Sequence, residues 1–216
     1  MSFHATKLKQ RFLILFLLVS ASVRVFSQAA DSPVVFTSPG GITASFVDCP
    51  SLGGTSTTSG SSSKWLKIEF KYSATPVKGD YIDSVQFKVW LEGRDLTAAD
   101  APGNEGSAIA LTGSATYVCV PKGKDTYGVF YVNPSVLGRY SGKQGPSDFE
   151  RKFNVHLDAL VDGKIVDNID KTKEEELTWY QKLTAVAGFV CRQDQCPFML
   201  TDPNKYPPLK LSTSAE

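Results

Sequence analysis

Between Trp65 and Tyr72 the chain alternates: Leu66, Ile68, Phe70 and Tyr72 fall on one side, Trp65, Lys67, Glu69 and Lys71 on the other. Residues 81–91 repeat the device, with Val85, Phe87, Val89 and Leu91 opposed to Ser84, Gln86, Lys88 and Trp90. Period-two alternation predicts half-buried antiparallel strands. These two runs are expected to form one hairpin across residues 74–79. A turn centred between Val77 and Lys78 pairs Leu66 with Val89, Ile68 with Phe87 and Phe70 with Val85. It also sets Trp65 beside Trp90 on the outer face, because alternation ties register to facing. That pair is either a satellite core covered by a loop or the C-terminal segment, or an exposed contact surface.

Weaker patterns fill in the rest. Val34–Thr37 and Ile42–Val47 are short strands separated by Pro39, Gly40 and Gly41. Residues 115–120 and 126–132 are expected to form a second hairpin across 121–125. Phe153, Val155, Leu157, Ala159 and Val161 mark one face of a strand, and Asp162-Gly163 signals a tight turn into residues 164–166. Thr172 and Glu175 have capping-box spacing, which suggests one helical turn over 171–176. The β-branched residues Thr178, Thr184, Val186 and Val190 favour a single strand over 178–191. Residues 50–63, rich in Gly, Ser and Thr, read as a mobile loop, and 94–107 and 138–148 also read as loops. The prolines 203, 207 and 208 make the end irregular, with 211–216 a tail. Many short strands and no long helix predict an all-β, two-sheet sandwich or a barrel.

The first residues follow another pattern. Lys7, Lys9 and Arg11 precede an apolar run from Phe12 to Val23, and Val25 and Ser27 are small or apolar at the positions before Gln28. Basic, apolar and small regions in that order predict a secretory signal over 1–27. The run falls short of the ~20 residues a membrane span needs. The mature chain is then expected to hold one domain over 28–210, with no transmembrane span.

Cleavage changes the charge. Lys7, Lys9, Arg11 and Arg24 leave with the signal, so 23 basic residues fall to 19 against 22 acids, a net −3. A mildly acidic domain offers no electrostatic basis for binding nucleic acid. His4 leaves too, and His156 is the histidine that remains. It falls on the polar side of its strand with Asn154 and Asp158, as a surface residue. Serine or cysteine nucleophile chemistry would need it as base, so no catalytic residue is assigned. Residues Asp162, Asp167, Asn168 and Asp170 lack the spacing of a calcium loop and read as a solvated hairpin end. No phosphate-binding glycine loop precedes a helix, and no cofactor or metal is expected.

Cys49, Cys119, Cys191 and Cys196 make an even count in an exported chain, which favours disulfides over zinc ligands or catalytic thiols. The short separation of Cys191 and Cys196 suggests a local bridge, leaving Cys49–Cys119. Loop closure assigns about 2 kcal/mol to the first and about 4 kcal/mol to the second.

Cys49, Trp65 and the stretch Tyr117-Val118-Cys119 are spaced as in immunoglobulin domains, where a tryptophan packs on an inter-sheet disulfide. Residues 33–132 therefore resemble an immunoglobulin-like sandwich, although the strand before Cys49 buries the face that excludes it. More broadly, the signal, the Ser/Gly loop, the strands KWLKIEFKYSATP, YIDSVQFKVWLEG and FNVHLDALVDGKIVD, and the end GFVCRQDQCPFMLTDPNKYPPL resemble a narrower group. These are small exported Ig-like proteins encoded beside type IV pilus genes in mucin-dwelling verrucomicrobial bacteria. The resemblance implies an envelope or surface protein, without catalysis, that meets an envelope or pilus protein partner. The competing reading is a carbohydrate-binding module or sugar-active hydrolase that uses Trp65 and Trp90 as stacking platforms.

Overall fold

The structure is a computed structural model and describes residues 32–38, 40–50, 64–95, 106–140, 154–172 and 178–211. The signal at 1–27, all but the first residue of the 50–63 loop and most of the helical turn at 171–176 lie outside these residues. So do most of the loops at 94–107 and 138–148 and the end of the tail. The described residues all belong to one compact unit, Ser32–Glu216.

The chain is an all-β sandwich of two sheets. The first sheet holds β1 (Val34–Phe36), β2 (Ile42–Val47), β3 (Trp65–Ala74), β6 (Gly123–Val132) and β10 (Val190–Arg192). β3 is its axis: it pairs antiparallel with β1 and β2 on one side and with β6 on the other, and β6 pairs with β10. The second sheet runs in the order β8 (Lys164–Lys171), β7 (Val155–Val161), β4 (Tyr81–Asp95), β5 (Ser107–Pro121) and β9 (Thr184–Ala187). Its pairs are antiparallel except β5 with β9, which is parallel.

The alternation of β3 and β4 is as expected, but their pairing is not. They belong to different sheets and form no hairpin. Their apolar faces meet across the core: the Phe70 and Phe87 rings lie 4.7 Å apart and those of Tyr72 and Phe87 4.9 Å apart. An apolar face is satisfied equally by a coplanar neighbour over a common core or by an opposed sheet. Alternation alone does not choose between them. The same correction applies to β5 and β6. Pro121, Lys122 and Gly123 carry the chain from the second sheet to the first, and the buried Tyr117 hydroxyl ties the sheets by accepting the Val129 N–H at 3.0 Å. Gly128 is required where β6 crosses under the aromatic core, because a Cβ there would collide with the Phe70 ring.

The single strand expected over 178–191 is three pieces: a 3-10 turn (Trp179–Lys182), β9 and β10. Gly188, at φ +89°, lets the chain leave the second sheet for the first. It passes Gly113, whose absent side chain leaves room: a Cβ there would sit 2.6 Å from the Val190 carbonyl oxygen. Asp162 and Gly163, at φ +52° and +74°, form the tight turn their residue types predict. One short helix was not anticipated, α1 (Pro134–Tyr140). Asn133 caps it, its Oδ1 accepting the Ser135 N–H at 2.8 Å, and Pro134 opens it without losing a bonded N–H. Among the described residues, no helix is long and apolar enough to cross a membrane.

Candidate functional site

The outer face of the second sheet carries a buried polar cluster. In β7, Val155, Leu157 and Ala159 face the core, so the intervening His156 and Asp158, with Asn154 just before, point outward. β4 and β8 flank the strand, setting Trp90 and Asp170 opposite His156, and Lys88 and Asn168 opposite Asp158. The imidazole is held from both ends: Nδ1 lies 2.9 Å from Asp170 and Nε2 3.0 Å from Asp158. Tyr180, from the 3-10 turn, stacks on the ring at 3.8 Å and 14°, and Trp90 lies 5.3 Å away. Beside them, Asn154 donates to Glu92 at 2.7 Å and accepts from Thr172 at 2.9 Å.

His156 is thus 2% exposed, not the surface residue its strand pattern implied. Its orientation was legible, but the Tyr180 lid was not. Burial, the largest influence, pushes its pKa down; the hydrogen bonds to Asp158 and Asp170, with their charges, outweigh it, and the net shift is upward. Both ring nitrogens can donate only as imidazolium, so the geometry favours the charged form. A general base needs a free nitrogen aimed at a nucleophile, and here both nitrogens face carboxylates. The chemistry of this cluster is that of a charged clamp joining β7, β8 and the 3-10 turn.

A bulge builds the clamp. Beyond the Asp162-Gly163 turn, Leu160 pairs with Ile165 but Ala159 pairs with Asp167. That one-residue shift turns Asp170 to the outer face; without it, period-two facing would send Asp170 into the core. It also separates the acidic residues. Asp170 meets His156, whereas Asp167 Oδ2 accepts the Phe36 N–H at 2.7 Å from the sandwich side. The described residues contain no group of His, Cys, Asp or Glu able to hold a metal ion.

Trp65 and Trp90 are not neighbours. They lie on the outer faces of different sheets. Trp65 is buried at 8% exposure under Phe198, edge-on at 5.7 Å, and Phe198 also stacks on Tyr131 at 4.4 Å. Trp90 is half-buried between His156 and Tyr180. The C-terminal segment that covers Trp65 is pinned by Glu69, which meets Lys67 at 2.9 Å, Lys205 at 2.7 Å and the Tyr206 hydroxyl at 2.6 Å. Burial alone would raise the Glu69 pKa, but the bonds from Lys205, Tyr206 and Lys67 prevail and lower it to about 2. No long-range signal in the sequence marked Glu69 or Tyr206 as partners.

All four cysteines are thiols, so neither expected bridge is formed. Val47 pairs with Trp65 and Gly123 with Ala74, at opposite ends of β3. Those ends are about 30 Å apart at the ordinary strand rise. Cys49 follows Val47, and Cys119 lies near the crossing at Gly123. A disulfide needs Cα atoms within about 7 Å, so the immunoglobulin-type cystine and its packed tryptophan are not assembled. Cys196 instead turns its Sγ to the Gln193 carbonyl at 3.2 Å, and burial pushes its pKa up to about 11.

A protein-family model matches residues 30–212. The chain belongs to that family. A crystal structure of a protein from Akkermansia muciniphila is similar with a TM-score of 0.62 at 21% identity, covering 82% of this chain and 92% of that one. At that identity the likeness establishes the sandwich fold. A putative beta-galactosidase from Bacteroides fragilis overlaps with a TM-score of 0.32 and 13% identity over 61% of this chain and 15% of that one, too little to bear on function. No curated protein matches the sequence.

Proposed function

We propose that this family member is a non-enzymatic interaction protein, exported through the signal at 1–27 and acting as one Ig-like domain at the cell envelope or surface, with a type IV pilus or adhesion apparatus as its setting. The observation that carries this reading is the state of His156. The histidine of the mature chain, the residue a nucleophilic hydrolase would use as base, has both nitrogens on carboxylates and a tyrosine over its ring. Its role is to hold strands together. The likeness in fold to a protein from A. muciniphila, a mucin-dwelling verrucomicrobial bacterium, agrees with the group that the sequence resembles. The sugar-platform alternative has no comparable support, since Trp65 is covered by the chain's own Phe198.

Two measurements test the proposal together. N-terminal sequencing of the protein from the producing organism is expected to begin at Gln28, and in-cell crosslinking is expected to recover an envelope or pilus protein. A glycosidase or esterase activity abolished by His156→Gln, in a variant that still folds, would overturn it.

A further inference from the structure

β5 is bonded to β4 along one flank, and its other flank faces the margin of the second sheet. Two segments line that flank. β9 pairs with Ile109–Thr112, and the C-terminal segment pairs with residues 116–118, Lys210 donating to Thr116 at 2.7 Å and Val118 to Pro208 at 2.8 Å. Both lie end to end along β5, spanning Ile109 to Val118, about 30 Å at the ordinary strand rise.

The opposite margin of this sheet is guarded. β8 carries Lys164, Asp167, Asp170 and Lys171, and β1 lies against it through the Phe36 N–H to Asp167 bond and a Ser32 hydroxyl bond to the Val166 carbonyl at 3.0 Å. Among the described residues, β9 has neither protection. Its sequence is Thr-Ala-Val-Ala, without charge or proline; Thr184, Ala185 and Ala187 are exposed, and no other described strand pairs with it. Native edges are normally blunted by charge, proline or cover, and a bare one is a template for strand addition. At the far end of the same flank lies an open groove of about 400 Å³, lined by Met199, Pro203, Leu209 and Leu211. Met199 is 59% and Leu211 82% exposed.

We propose that this flank docks an extended segment of a partner polypeptide. The segment adds as a strand along β9, uncharged where it faces Thr184–Ala187, and places an apolar side chain in the Met199–Leu211 groove. This rests on the interaction-protein reading and names the partner's chemistry. A second copy of the chain fits less well: four paired residues fall far short of the roughly 1,200 Å² that a stable contact between folded surfaces buries. An extended segment continues past β9 to the groove and gains contact along the whole flank.

The test uses the full chain in the producing organism, with a photo-crosslinking residue in place of Ala185 or, separately, of Lys164 on β8. Crosslinks from position 185 are expected on an uncharged, extended run of a different protein. Ala185→Lys combined with Ala187→Lys is expected to cut partner retention by about tenfold with an unchanged melting temperature, as edge lysines do; Met199→Glu, at the groove, is expected to do the same. Crosslinks from 164 alone overturn the inference and leave the interaction-protein reading standing. Crosslinks from 185 to a second copy, or to a partner surface without an extended run, also overturn it. No crosslinked protein from either position overturns both.

Discussion

Asp170 lies 2.9 Å from the Nδ1 of His156, fourteen residues back along the chain, and faces it only because β8 slips by one residue beyond its turn. With Asp158 on the other nitrogen, this contact favours the imidazolium form of the histidine. Its folded pKa is raised, so its stabilising contribution is fully present below the unfolded value of about 6.5 and is lost as pH rises through the folded value. Melting temperature is therefore expected to fall from near-neutral to alkaline pH. His156→Gln should remove that slope and lower stability by about 3 kcal/mol, the scale of a buried pair broken from one side. Thermal melts across pH 6–10 on both proteins measure it.

Glu69 titrates in the opposite sense. Its folded pKa is held near 2, below the ordinary value of 4.5, so its contribution is present above 4.5 and disappears as pH falls towards 2. Acidification is expected to release the C-terminal segment that Glu69 pins through Lys205 and Tyr206. Hydrogen-exchange protection at residues 197–206, taken relative to the intrinsic amide rate at each pH, should fall as pH drops from 5 towards 2, and Glu69→Gln should show the lower protection already at pH 7. Unchanged exchange in the variant would show that the segment is held by Phe198 packing alone.

How much was legible in the sequence follows from these residues. The facing of Phe70 and Phe87 was readable because alternation depends only on neighbouring residues. Their placement in opposed sheets was not, since Pro76 and Gly79 serve a crossing as well as a hairpin. The outward direction of His156 was readable in the same way. Its burial was not, because the Tyr180 lid comes from a distant 3-10 turn and Asp170 arrives through a bulge with no residue signature. The cysteine count suggested bridges, but spacing carries no information on which end of β3 each thiol occupies.

Gly128→Val should be among the costliest single changes in the first sheet. A Cβ at 128 collides with the Phe70 ring, which is packed between Phe87 and Phe130 and has nowhere to go. A loss of about 3 kcal/mol is expected, the upper range for overpacking. Chemical denaturation measures it; Gly138→Val, at a site where a Cβ meets nothing within 4 Å, is the control and should change little.

The thiols should differ in reactivity. Cys49 and Cys119 are exposed, whereas Cys196 is buried with its pKa pushed up to about 11. Maleimide labelling of the folded protein at neutral pH is expected to modify the first two quickly and Cys196 only on unfolding, because the thiolate is the reactive form. Non-reducing peptide mapping should find no Cys49–Cys119 linkage.

The most direct test of the account is the protonation of His156, followed by nitrogen-15 NMR as pH is raised through 6.5. The clamp predicts an imidazolium, with both ring nitrogens protonated and similar in shift, persisting above the ordinary histidine pKa of about 6.5. A neutral ring with one bare nitrogen, titrating near that ordinary value, would contradict it and return His156 to the list of candidate bases.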